Sequence, residues 1–254
     1  MTVETERAGP VAVIAIARPA ARNAVDPETA AALLAAFAAA EADPEVKALV
    51  LTGRGGQFCA GADLKAVAAG AAFARTAPMG PSWLLPGRGL DKPLIAAVEG
   101  AAVAGGLELA LLADLRVASD TAVFGVYCRR WGVPLIDGGT VRLPRIIGHG
   151  RAMDMILTGR AVDAEEAYAW GLANRRAPEG GALEAAIALA QDIARFPQTC
   201  AAIDRRSAYD GWSLDLDAAL RAEAEAGRAA LVEAVQGAGR FRDGAGRGGD
   251  FTSI

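Results

Sequence analysis

The sequence predicts an α/β protein, a mostly parallel sheet with helical crossovers followed by a helical C-terminal region. Three observations point there. Short apolar runs alternate with helix-like stretches through the first half of the 254 residues, separated by Gly- and Pro-rich links. After Gly138 the strand-like runs give way to helical patterns. The composition, 53% hydrophobic and 22% charged, supplies an interior and is too apolar for a disordered chain.

In chain order, Val11–Ala17 is a strand-like run ended by Arg18-Pro19. Asp26 and Pro27, as N-cap and first-turn proline, open an alanine-rich helix to Ala42. Lys47–Thr52 reads as a buried strand, stopped by Gly53-Arg54-Gly55-Gly56. Pro93–Val98 is another, and Gly100–Gly106 leads into a helix carrying Leu107–Leu112. Leu115–Ala118 is a further short strand. Arg145–Leu157, Asp163–Trp170, Ala182–Arg195, Gln198–Tyr209 and Leu214–Val235 read as helices, with Pro197 and Gly211 as breaks. Gly244–Gly249 spells G-x-G-x-x-G, but no strand precedes it and no helix follows. It is expected to be a flexible tail and not a dinucleotide site.

Composition removes several function classes. Lys and Arg total 26 against 30 Asp and Glu, a net charge of −4, so nothing favours nucleic acid or an anionic membrane as partner. The 61 alanines, and 23 arginines against three lysines, read as coding bias. The longest uncharged runs, Thr29–Ala40 and Thr76–Gly87, hold 12 residues each, short of the roughly 20 that span a bilayer. Glu4 and Glu6 ahead of the first apolar run are unlike a signal peptide, so a cytoplasmic location is expected. Cys59, Cys128 and Cys200 are too few and too scattered for a disulfide framework or a zinc site. The one histidine, His149, sits at a glycine-flanked helix junction and is expected at the surface or as a cap. With no G-x-S-x-G motif either, histidine-dependent nucleophilic hydrolysis has no candidate.

Two turns carry chemical potential. Phe58-Cys59-Ala60-Gly61-Ala62-Asp63-Leu64-Lys65 follows a strand and opens a helix, as does Val103-Ala104-Gly105-Gly106-Leu107-Glu108. Small residues there leave backbone N–H groups open at helix N-termini, where partial positive charge collects. Two such donors are what an oxyanion hole requires. Either turn alone is equally explained by close helix–strand packing.

Taken together and in order, these segments resemble the crotonase (enoyl-CoA hydratase/isomerase) superfamily over nearly the whole chain. The matching stretches are Arg18-Pro19 with Arg22-Asn23-Ala24, FCAGADLK at 58–65, KPLIAAVEGAAVAGGLELALLADLRVAS at 92–119, GGTVRLPRIIGHGRAMDMILTGR at 138–160 and AEEAYAWGLANR at 164–175. The resemblance implies a spiral of ββα units over residues 1–195. It further implies a helical region and tail at 196–254 that packs on its own or a neighbouring subunit in a homotrimer or dimer of trimers. It also implies an acyl-CoA substrate, with coenzyme A entering as part of the thioester and no permanently bound cofactor.

By motif position, the resemblance makes the Ala62 and Gly105 N–H groups the donors to the thioester oxygen. It places Arg22, Asn23, Ala24, Ala60, Asp63, Leu64 and Lys65 along the coenzyme A thioester site. Asp63 equally suits a helix cap, and Lys65 a solvated first-turn lysine. Glu108 matches the first catalytic glutamate of the hydratases, and a carboxylate in so apolar a helix is costly to bury without a purpose. The second glutamate's position holds Cys128, a neutral thiol better suited to lining a pocket, although Arg129 and Arg130 could lower its pKa. Asp137 resembles the aspartate that dienoyl-CoA isomerases place in the active site, and it also suits an N-cap. Trp131 suits either an acyl-pocket wall or the core. The segment Ala66–Leu90, rich in Ala, Gly and Pro, reads as a lid over that pocket. The leading expectation is hydration of a 2-enoyl-CoA. Double-bond isomerisation through Glu108 and Asp137 stands second, and non-catalytic binding of a CoA ester third.

Overall fold

The computed structural model describes residues 1–70 and 90–249. Residues 71–89, which make up most of the expected lid, and the last five residues lie outside the described residues. The chain divides into two compact units, Met1–Ala190 and Gln191–Ile254.

The first unit is built on a six-stranded sheet. Its strands are β1 (Val3–Ala8), β2 (Val11–Ile16), β3 (Ala48–Gly53), β4 (Leu94–Val98), β6 (Leu115–Ser119) and β9 (Arg175–Ala177), side by side in that order. Only the β1–β2 pair is antiparallel, closed by a turn at Gly9 with φ +63°, and every other pair is parallel. β2, β3 and β4 are almost wholly buried, matching their unbroken apolar runs, as expected for a sheet covered on both faces. Helix α1 (Pro27–Ala42) makes the β2–β3 crossover and is capped by Asp26, which accepts the Thr29 N–H as the sequence predicts. The short α2 (Leu64–Ala68) follows β3.

A second sheet of three strands, β5 (Ala101–Val103), β7 (Val123–Gly125) and β8 (Ala161–Asp163), packs beside the first. Between β5 and β6 runs α3 (Gly105–Leu112), buried at every position from Gly106 to Leu112. Helices α4 (Gly139–Ile147), α5 (His149–Thr158), α6 (Ala164–Ala169) and α7 (Ala182–Ala194) complete the repertoire of this part, α7 running across the boundary into the second unit. Within the second unit, α8 (Gln198–Asp210), α9 (Leu216–Gly227) and α10 (Leu231–Arg242) follow one another, and Glu233 of α10 accepts the Cys200 N–H at the start of α8.

The structure corrects the sequence reading at several elements. β1 was not expected, and neither were β5, β7, β8 and β9. The expected Arg145–Leu157 helix is two helices broken at Gly148, whose φ +82° and ψ 156° no helix contains. The expected Leu214–Val235 helix is likewise α9 and α10, joined by a tight turn at Arg228–Ala230. His149 is exposed at the first position of α5.

Candidate active site

The site forms where the C-terminal ends of the parallel strands turn into helices, the usual location in α/β sheets. From β3 the chain runs through Phe58–Asp63, held on both flanks by backbone hydrogen bonds. On one side the Cys59 N–H donates to Ala101 O (2.8 Å) and the Val103 N–H to Cys59 O (3.1 Å). On the other, the Ala60 N–H donates to Arg22 O (3.0 Å), the Val25 N–H to Gly61 O (2.8 Å) and the Asp63 N–H to Val25 O (2.9 Å).

This places two turns back to back. Gly61 has φ +93°, and a Cβ on it would lie 2.7 Å from the Gly105 nitrogen. A Cβ on Gly105 would lie 3.5 Å from the Ala62 nitrogen, and one on Gly106 only 2.0 Å from Cys59 O. The small residues therefore serve close approach, and that approach brings the Ala62 and Gly105 N–H groups together. Ala104, just before α3, is held at φ +54° and ψ −124°, a backbone region a non-glycine residue enters only at a cost. Among the described residues neither N–H meets a protein acceptor. Gly105 is the first residue of α3, so its N–H also carries the positive end of the helix.

Glu108 lies one turn further along α3 and is 4% exposed. Its Oε1 accepts the Asp137 and Gly139 N–H groups, each at 2.8 Å. Burial pushes its pKa up to about 7. The nearby Asp137 charge adds to the rise, while the two N–H donors oppose it. A Cβ on Gly139 would meet Glu108 Cγ at 2.9 Å and Oε1 at 3.0 Å, which accounts for the glycine there. Asp137 thus reaches Glu108 through its backbone N–H, while its own C=O accepts Arg142 Nη1 (3.0 Å). The residue preceding α4 is Gly138, at φ +98°, and among the described residues no side chain caps the helix; the N-cap position expected for Asp137 is Gly138 instead.

Cys128 is buried in the helical turn Tyr127–Trp131. Its thiol is raised by burial and then by the Glu108 charge, so Arg129 and Arg130 do not make it a thiolate. Arg129 Nε donates to Ile156 O (3.0 Å), and the Arg130 guanidinium stacks on Tyr127 at 4.0 Å. Trp131 is 68% exposed, which removes the core reading of that residue.

The remaining sequence-derived candidates surround the first turn. Arg22 is exposed at φ +50°, and Ala24 is buried. Asp63 caps α2, accepting the Lys65 and Ala66 N–H groups on Oδ1, and Leu64 and Lys65 are exposed on that helix. Sequence reasoning placed Asn23 beside the coenzyme A stretch and quoted Arg18 in the motif, but foresaw the supporting role of neither. Asn23, fully buried at φ +56°, donates through Nδ2 to Arg54 O and Gln57 O and accepts the Arg18 N–H. Arg18 reaches Asp26, Asp63 and the Ala24 carbonyl. Both lie in the motif quoted for the resemblance, but partners 31 to 45 positions away carry no local signal.

Residues 6–237 match the enoyl-CoA hydratase/isomerase family. The chain is 43% identical over 194 residues to the enoyl-CoA hydratase EchA19 of Mycobacterium tuberculosis, covering 74% of this chain and 73% of that protein. It is 39% identical over 213 residues to the mevalonyl-coenzyme A hydratase SIDH of Beauveria bassiana, covering 80% and 76%. The crystal structure of enoyl-CoA hydratase EchA1 from Mycobacterium marinum superposes with a TM-score of 0.85 at 37% identity, over 95% of this chain and 96% of that one. With an α/β core that ends in these paired turns and the buried Glu108, the chain belongs to the enoyl-CoA hydratase/isomerase family of the crotonase superfamily.

Proposed function

We propose that the protein adds water across the double bond of a 2-enoyl-CoA thioester, passing through an enolate. The observation that carries this reading is Glu108, a buried carboxylate tuned to about 7 and set one helical turn from the Gly105 N–H. The Ala62 and Gly105 N–H groups bind the thioester oxygen and strengthen their hold as negative charge develops there. Glu108, with Oε1 engaged by two backbone donors, holds water through its other oxygen and takes the proton as the water attacks the β-carbon. Asp137 is the second carboxyl group: in its protonated form it gives a proton to the α-carbon while Glu108 keeps the one taken from water, and proton transfer from Glu108 back to Asp137 after product release resets the pair. Cys128 and Trp131 border the acyl group. Arg22, Ala24, Ala60, Asp63, Leu64 and Lys65 border the coenzyme A thioester, which enters as substrate with no resident cofactor.

We further infer a cytoplasmic enzyme of fatty acyl metabolism, assembled as a trimer or dimer of trimers. Among the described residues no helix is long and apolar enough to cross a membrane. Double-bond isomerisation is the second reading, favoured by one observation: the expected second glutamate is a thiol kept neutral. Product analysis in deuterated water separates the two. Hydration gives a 3-hydroxyacyl-CoA with deuterium at the α-carbon, whereas a shifted double bond without a hydroxyl group supports isomerisation and overturns hydration.

A further inference from the structure

We propose that Arg18 is a positioning residue for the oxyanion hole, its guanidinium holding in place the turn that presents the Ala62 N–H. The proposal rests on the oxyanion-hole reading above. Nη2 of Arg18 bridges Asp26 Oδ2 (2.9 Å) and Asp63 Oδ2 (3.0 Å), and Nη1 donates to Ala24 O. The other oxygen of each aspartate caps a helix: Asp26 Oδ1 takes the Thr29 N–H of α1, and Asp63 Oδ1 takes the Lys65 and Ala66 N–H groups of α2. One guanidinium therefore ties two helix N-termini together. Its own backbone is fixed by reciprocal bonds with Asn23, the Arg18 N–H to Oδ1 and the Asn23 N–H to Arg18 O, each 2.9 Å.

Ala62 lies inside this frame. The residue before it accepts the Val25 N–H, and the residue after it is Asp63, whose N–H donates to Val25 O. The direction of the Ala62 N–H is set by the two peptides that Arg18 braces. Without the cation, two partly buried carboxylates would face each other with no charge between them, and Asp63 would be pushed away from Asp26. The Ala24 carbonyl would lose its donor as well. A displacement of a few tenths of an ångström suffices to matter, because a hole of this kind works only when its donors point at the developing charge.

The test is infrared spectroscopy of bound butyryl-CoA, a saturated thioester, labelled with carbon-13 at the thioester carbonyl, alongside kinetics with crotonyl-CoA and crotonyl-pantetheine. In the wild type the bound carbonyl stretch falls relative to free ligand. In Arg18→Met that fall shrinks, kcat drops about ten- to a hundredfold, in the range of losing part of one oxyanion donor, and KM changes little. The loss is the same for both substrates, Arg18→Lys recovers part of it, and the pH profile set by Glu108 does not move. Asp63→Asn, which keeps a capping oxygen, behaves like Arg18→Met and serves if that variant does not fold. A wild-type carbonyl shift and kcat in both variants, with only the melting temperature lowered, overturn the proposal by making Arg18 a structural brace alone. A loss seen with crotonyl-CoA and absent with crotonyl-pantetheine overturns it by making Arg18 a phosphate contact. No carbonyl shift in the wild type overturns the oxyanion hole itself.

Discussion

Glu108 is a carboxyl group kept out of water by a helix apolar on every side, and most of the chemistry follows from that placement. Its folded pKa of about 7 lies above the ordinary 4.5, so between these values the native chain holds a proton that the unfolded chain has released. Stability therefore falls as pH rises from 4.5 to 7, and above 7 the full penalty is present, at most about 3 kcal/mol at ~1.4 kcal/mol per pH unit. Glu108→Gln lacks this penalty. It should melt higher than the wild type at pH 8, with the difference closing toward pH 5, as thermal denaturation at both pH values would register. Catalysis runs the other way, kcat/KM rising through about pH 7 as the carboxylate forms, because a general base acts deprotonated. Gly139→Ala should displace the carboxylate, since the added carbon would sit 2.9 Å from Cγ, and lower kcat about tenfold or more on steady-state assay. At this scale the sequence was informative where a residue type is out of place. A glutamate among leucines is visible in one dimension, whereas the expectation that Cys128 stands where the hydratases carry a second glutamate came from the resemblance. The exposure of Trp131 and the backbone role of Asp137 were not visible, because they depend on how the 128–139 segment folds over α3.

At the scale of elements, the long buried strands and α1 were legible because apolar runs, a cap and a proline coincide. β1 was not, since Val-Glu-Thr-Glu-Arg-Ala reads as polar coil; it is an edge strand exposed from Thr5 to Arg7, and its Glu4 and Glu6 pair with Arg54. β5, β7, β8 and β9 have three residues each, too few for a period to register. The break at Gly148 hides because the apolar pattern continues across it. Arg116 was also missed. Buried on β6, it donates to Ala113 O (2.7 Å) and Ala110 O (3.3 Å), satisfying carbonyls at the C-terminus of the helix that carries Glu108. The glycines joining β5 to α3 give the sharpest test of an element. Gly106→Ala drives a carbon to 2.0 Å from the Cys59 carbonyl oxygen, backbone against backbone, and should cost more than about 2 kcal/mol by denaturant titration, with activity lost in what folds.

For the whole molecule, the change of pattern after Gly138 set the helical part too early, since β8 and β9 lie beyond it, and the spiral ββα arrangement came from the resemblance and not from periodicity. The second unit leaves Leu216, Leu220, Leu231, Val232, Val235 and Phe241 exposed on helices that are otherwise mostly alanine, glycine and charged residues. So many large apolar side chains on one small unit fit a surface covered by another subunit. Sedimentation velocity at micromolar concentration should give a trimer or hexamer of the 25.9 kDa chain, and a monomer would overturn the assembly.

The enolate mechanism is tested most directly by hydration of crotonyl-CoA, followed as loss of the conjugated thioester absorbance, in the wild type and Glu108→Gln in parallel with binding of the unreactive butyryl-CoA. The expected result is rapid loss of absorbance in the wild type and a fall in the variant of about a hundredfold or more, with butyryl-CoA affinity unchanged. Equal turnover by the two proteins, or tight binding with no turnover by either, would contradict the assignment of Glu108 as the group that activates water.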